Sequence, residues 1–109
     1  MKVLIKKTLH YYITKYPNAE KQLTICHNDF SEMDFSNFNE LKQVYGNTSI
    51  LNNNRVVLNI KGNDFRLIVS LNFLQRNNYL IWFGTHKEYD KIDSETIPFD
   101  KNILTFIKK

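Results

Sequence analysis

Cysteine, proline, glycine and tryptophan are all scarce in this chain. Its 109 residues include one Cys, two Pro, three Gly and one Trp. The lone Cys26 excludes an internal disulfide and fits a reducing compartment such as the cytosol. Nothing near it in sequence would lower a thiol pKa, so it reads as a small core residue and not as a nucleophile. Gly46, Gly62 and Gly84 are isolated turn or cap residues, which excludes a glycine-rich phosphate loop. No apolar run reaches membrane-spanning length, and the stretch over residues 1–7 is too short for a signal peptide. The three histidines fall in three separate segments, and neither paired His nor a carboxylate-rich motif has ligand spacing. No metal site and no cofactor is therefore expected, and His10 and His27 read as helix-surface residues. Repeats and low-complexity segments are absent too.

Aromatic residues, by contrast, are plentiful, with eight Phe and six Tyr, and hydrophobic residues make up 42% of the chain. That is enough for one modest core, so residues 1–109 are expected to form a single domain. The formal net charge of +4 is compatible with a polyanionic partner.

Organisation divides the chain in two. Residues 2–6 read as a short strand or extended arm. A helix over residues 9–16 ends at Pro17, because the residue before a proline is pushed from helical dihedrals. Asn18 is placed to cap a second helix reaching about residue 33, with Ala19, Leu23, Cys26 and Phe30 at helical spacing and Ile25 and Met33 widening the stripe. Ser36 or Asn37 can cap a third helix carrying Phe38, Leu41, Val44 and Tyr45, with Gly46 as C-cap. From Ser49 the apolar period changes to two. Strands are expected over residues 55–61, 65–73 and 79–85, the first two joined by the turn residues Gly62, Asn63 and Asp64. The fold class is therefore α+β, with N-terminal helices packed on one face of a small antiparallel sheet. Residues 98–109 form a tail that is a short strand or helix without an assigned role.

If Asn63 and Asp64 are the central pair of a tight hairpin, Ile60, Leu58 and Val56 oppose Leu67, Val69 and Leu71 on one face. A one-residue slip would scramble that face. The other face then sets Lys61 against Arg66. Like charges placed directly opposite destabilise a sheet by up to about 1 kcal/mol, which an anion between them would relieve. The next hairpin brings the end of the third strand beside the start of the second. His86 and Lys87, within the block Gly84-Thr85-His86-Lys87-Glu88-Tyr89-Asp90-Lys91-Ile92-Asp93, thus come near Arg66.

A cationic site holding His and Tyr suits phosphodiester chemistry in RNA, where the 2′-hydroxyl is itself the nucleophile. The protein must position the strand, move two protons and neutralise charge on the phosphorane. Arg66 and Lys61 fit the last task, and an imidazole at His86 can act as acid or base near neutral pH. Tyr89 can stack on a base or assist proton transfer, and Asp90 can orient His86. Lys87, Arg55, Asn63 and Asp90 are the expected RNA contacts beside the catalytic set Arg66, His86, Tyr89 and Lys61.

Two blocks, Gly62-Asn63-Asp64-Phe65-Arg66-Leu67 and Thr85-His86-Lys87-Glu88-Tyr89-Asp90-Lys91-Ile92-Asp93, resemble the signature segments of HigB-type toxins of the RelE/ParE superfamily. Tyr16-Pro17-Asn18-Ala19-Glu20 and Phe38-Asn39-Glu40-Leu41-Lys42 share the resemblance, which covers residues 1–97. It implies a type II toxin–antitoxin toxin that is a metal-independent endoribonuclease (an mRNA interferase) acting in the cytoplasm on mRNA, in several relatives in the ribosomal A site. The implied products are a 2′,3′-cyclic phosphate and a 5′-hydroxyl. The implied partner is a HigA-type helix-turn-helix antitoxin, through which alone the toxin would meet operator DNA; no membrane is involved. By the same resemblance Arg66 stands at a phosphate-binding position, and His86 and Tyr89 lie where relatives carry catalytic groups. Two other readings are a ParE-like toxin that inhibits a protein target and a degenerate RNA- or antitoxin-binding module.

Overall fold

A computed structural model describes residues 1–62 and 64–105. Among the described residues, four α-helices and five strands are arranged as an α+β fold. In chain order they are β1 (Lys2–Val3), α1 (Lys7–Lys15), α2 (Glu20–Glu32), α3 (Phe38–Val44), β2 (Ser49–Ile50), β3 (Arg55–Ile60), β4 (Phe65–Asn72), β5 (Asn77–Thr85) and α4 (His86–Tyr89). The sheet order is β1-β5-β4-β3-β2. Strands β2 to β5 pair antiparallel, and β1 adds to β5 in parallel, so the sheet is mixed.

Local chemistry sets the helices. Pro17 ends α1 and begins a 3₁₀ turn over Pro17–Ala19, so Asn18 lies inside that turn and does not cap α2. Leu23, Cys26 and Phe30 form the buried stripe of α2. Ile25 and Met33 do not widen it, being 51% and 37% exposed. Asn37 caps α3, its side-chain oxygen accepting the Glu40 N–H at 3.0 Å. Burial pushes the Cys26 thiol up to about 12, which leaves it an inert core group. His27 is half-buried, not a surface residue, and burial holds its imidazole below the ordinary value.

The first hairpin differs from expectation by two residues. Ile60 opposes Phe65, Asn59 opposes Arg66 and Leu58 opposes Leu67. Lys61 and Gly62 take left-handed φ values of 54° and 66°, and the Asp64 N–H donates to the Lys61 carbonyl at 3.2 Å. Lys61 is thereby drawn into a longer turn and leaves the ladder. A slip of two preserves every face, so Val56, Leu58, Ile60, Leu67 and Val69 still point into one core. The Lys61–Arg66 opposition, however, is replaced by Asn59–Arg66.

Both faces of the sheet are covered. The helices close one over a core that includes Leu23, Phe30, Leu41, Leu58, Leu67 and Phe83. On the other, Val57, Ile68 and Ile81 lie under Tyr89, Ile92 and Ile97 from the segment that follows β5. A bulge at Ile68/Val69 pairs Ile68 with Trp82 and Val69 with Leu80. The extra residue turns both Ile81 and Trp82 to this second face. The chain then returns to α1: Tyr11 donates to Asp100 at 3.0 Å, and Ile103, in a 3₁₀ turn over Lys101–Thr105, is fully buried. The tail is thus a structural brace as far as Thr105, and residues 106–109 lie outside the described set.

Candidate active site at the end of β4 and β5

The functional block is built where β5 stops. Phe65 pairs with Thr85 and Arg66 with Gly84, so the start of β4 lies beside the end of β5, at one end of the sheet. Thr85 is extended and caps α4: its Oγ1 accepts the Glu88 N–H at 3.2 Å, while Glu88 Oε1 accepts the Thr85 N–H at 2.9 Å. This reciprocal pair forces the chain from strand into helix within one residue. The His86 N–H still donates to the Asp64 carbonyl at 3.0 Å, which fixes the start of α4 against the start of β4.

Each expected residue can now be located. Arg66 is half-buried on β4, two positions from Asp64, and its guanidinium donates to the Phe65 carbonyl at 3.1 Å. His86 opens α4, half exposed, with Nε2 3.6 Å from Asp90 Oδ1 one turn on. Tyr89 closes α4, its ring 6.2 Å from the Trp82 indole. Lys87 is exposed on α4. Lys61 stands at the hairpin tip with Nζ 3.5 Å from the Asn18 carbonyl, a long contact directed towards the helical layer. Arg66, His86, Tyr89, Asp90 and Lys87 therefore share one end of the sheet, and Lys61 borders it.

Arg55 is not brought there. It opposes Ser70 at the far end of β3, four residues or roughly 13 Å along the strand from Asn59. Its guanidinium donates to the Ser94 carbonyl at 3.1 Å. Asn63 lies outside the described residues. Among the described residues, no group of three or more His, Cys, Asp or Glu side chains is placed to hold a metal ion.

Sequence reasoning missed two groups. Glu88 Oε1 accepts the Tyr16 hydroxyl at 2.7 Å and Thr85 Oγ1 at 3.0 Å, besides the Thr85 N–H. The Tyr16 hydroxyl, then the Thr85 backbone, hold this carboxyl below its ordinary value. Burial, then the Glu88 hydrogen bond, raise the Tyr16 phenol well above its own. Thr85-x-x-Glu88 is a capping-box pattern and was readable in the sequence. Tyr16, 72 residues away, left no local signal. Gly84 was also underread. A Cβ there would meet the Trp82 ring at 2.6 Å, so glycine is what lets the indole lie over the strand end.

With this geometry in view, similarity to known proteins is informative. Residues 19–92 match the family model described as HigB toxin, a RelE-like toxic component of a toxin-antitoxin system. The matched span contains β3, β4, β5 and α4 in full. The mRNA interferase HigB of Escherichia coli O6:H1 (strain CFT073) is 29% identical over 94 residues, covering 84% of this chain and 91% of that protein. A match over that much of the chain, with the cationic strand end inside it, means that the chain belongs to the HigB toxin family, the RelE-like toxic component of toxin–antitoxin systems.

Proposed function

We propose that this toxin is an endoribonuclease that cleaves mRNA at the end of β4 and β5. The observation that carries the reading is the docking of the His86 backbone N–H on the Asp64 carbonyl, which holds His86 at the start of β4, two residues from Arg66. The mRNA interferase relative supports the substrate class.

In the proposed reaction the RNA 2′-oxygen attacks the adjacent phosphorus as its proton leaves. The bond from phosphorus to the 5′-oxygen breaks, and that oxygen takes up a proton. The products are a 2′,3′-cyclic phosphate and a 5′-hydroxyl, with no net oxidation and no water consumed. Arg66 neutralises the phosphorane through its guanidinium fork, and Lys61 adds positive charge at the border. His86 moves a proton, with Asp90 within reach to orient the ring. Tyr89, held on Trp82, offers an aromatic surface to a base. Lys87 tracks the phosphate backbone. Arg55, with its guanidinium committed to Ser94, has no part in this scheme.

The same reading extends to context. The toxin acts in the cytoplasm on mRNA, with the ribosomal A site as the place of cutting, and a HigA-type helix-turn-helix antitoxin neutralises it. Incubating the purified toxin with a defined mRNA, with and without ribosomes, and analysing fragment ends tests this. Fragments ending in a 2′,3′-cyclic phosphate are expected. Growth arrest without any cut RNA would instead support a protein-directed toxin.

A further inference from the structure

Helix α4 has four residues, too few to persist as an isolated helix, so its position depends on what holds it. Beyond the His86 N–H on the Asp64 carbonyl, which fixes its start, α4 has side-chain attachments on opposite sides. On the second face Tyr89 packs against Trp82, whose indole covers Gly84. On the helical side Glu88 reaches Tyr16, the residue that ends α1. Tyr16 is itself wedged, its ring edge-on to Phe65 at 5.8 Å and to Phe83 at 5.6 Å. Its hydroxyl is therefore a fixed point referenced to the same strands that carry Arg66 and Gly84. Chemistry keeps both partners out of proton transfer. A carboxylate oxygen accepting three hydrogen bonds is a weak base, and a phenol raised above its ordinary value is a weak acid.

We propose that Tyr16 and Glu88 are positioning residues of the ribonuclease: their hydrogen bond ties α4 to the helical layer and so sets where His86 meets the RNA. This inference rests on the reading of His86 as a reacting group. The Thr85–Glu88 box starts the helix, and the His86 N–H and Tyr89 dock it on the sheet, while Tyr16 ties it to the helical layer. A misplacement of about 1 Å in a reacting group can cost a hundredfold in rate.

The test compares Tyr16→Phe, which removes one oxygen and leaves the ring, with Glu88→Gln and Glu88→Ala in the full-length toxin. Single-turnover cleavage of a short RNA is measured beside RNA affinity and thermal midpoint. Tyr16→Phe is expected to lower the cleavage rate at least about tenfold with RNA affinity changed by less than about twofold. Glu88→Gln, whose amide oxygen still accepts, is expected to keep more activity than Glu88→Ala. Leu71→Val, at the far end of β4, supplies a control with lowered midpoint and unchanged cleavage rate. Unchanged cleavage in Tyr16→Phe, with His86→Ala inactive, would overturn the inference and leave the site standing. An active His86→Ala would remove the site itself. If Leu71→Val lost rate in step with its midpoint, the pair would be a stabilising contact only. Should Tyr16→Phe not fold, the Glu88 pair of variants decides the matter by the same criterion.

Discussion

At the turn end of the β3–β4 hairpin, Arg66 faces Gly84 and lies two positions from the carbonyl that holds His86. At the open end of the same hairpin, Arg55 faces Ser70 and its guanidinium is bound to the Ser94 carbonyl. Both are half-buried arginines on neighbouring strands. Their surroundings separate them. Near Arg66 the chain supplies an imidazole, a phenol and further cations on a rigid strand end, and a glycine that lets an indole lie close. Near Arg55 it supplies a backbone acceptor in the segment that covers the second face, a contact that ties that segment to β3. The proposed site thus rests on what the fold places beside a cation, not on positive charge alone.

That contrast can be broken in order of expected effect. His86→Ala should lower RNA cleavage by two orders of magnitude or more, since a positioned acid or base contributes about 10²–10⁴; circular dichroism and thermal melting should find the fold intact, because the ring is half exposed. Gly84→Ala should come next. Its Cβ would lie 2.6 Å from the Trp82 ring, and relieving that overlap should cost about 1–3 kcal/mol of stability, read by urea denaturation, with reduced cleavage as α4 shifts.

A smaller effect carries a pH signature. Glu88 is depressed below 4.5 in the folded state, so its stabilising contribution is present above the unfolded value and is lost as pH falls through the folded one. Tyr16→Phe removes the largest cause of that depression. The variant should be less stable than the parent by about 1 kcal/mol at pH 7, and the gap should narrow below pH 4.5. A gap that stayed constant down to pH 3 would mean that the carboxylate is not its source.

Much of the scaffold could be read before any coordinates. Leu23, Cys26 and Phe30 announce the buried side of α2 through their spacing, and Asn37 announces the start of α3 because its amide can take the place of a helical carbonyl. The convergence of Arg66 with His86 also follows from two antiparallel turns. The register of the first hairpin does not. Period-two alternation is blind to a slip of two, and the left-handed backbone at Lys61 leaves no pattern of its own. The opposition of Lys61 and Arg66 was an artefact of that blindness. The cover over the second face was hidden as well, because Tyr89, Ile92 and Ile97 reach it from a segment without regular period. The Tyr16–Glu88 bond joins residues 72 apart, and long-range pairing of polar groups has no local signature.

The central claim is that the Arg66 end of the sheet works and the Arg55 end only holds. Single-turnover cleavage of one RNA by Arg66→Ala and by Arg55→Ala, each shown to be folded, tests it most directly. Arg66→Ala is expected to be slower than the parent by at least about a hundredfold, in line with loss of a charge-stabilising donor. Arg55→Ala should stay within about threefold, its loss appearing in stability because the Ser94 carbonyl is released. Equal losses of rate in the two variants, or a greater loss in Arg55→Ala, would contradict the account.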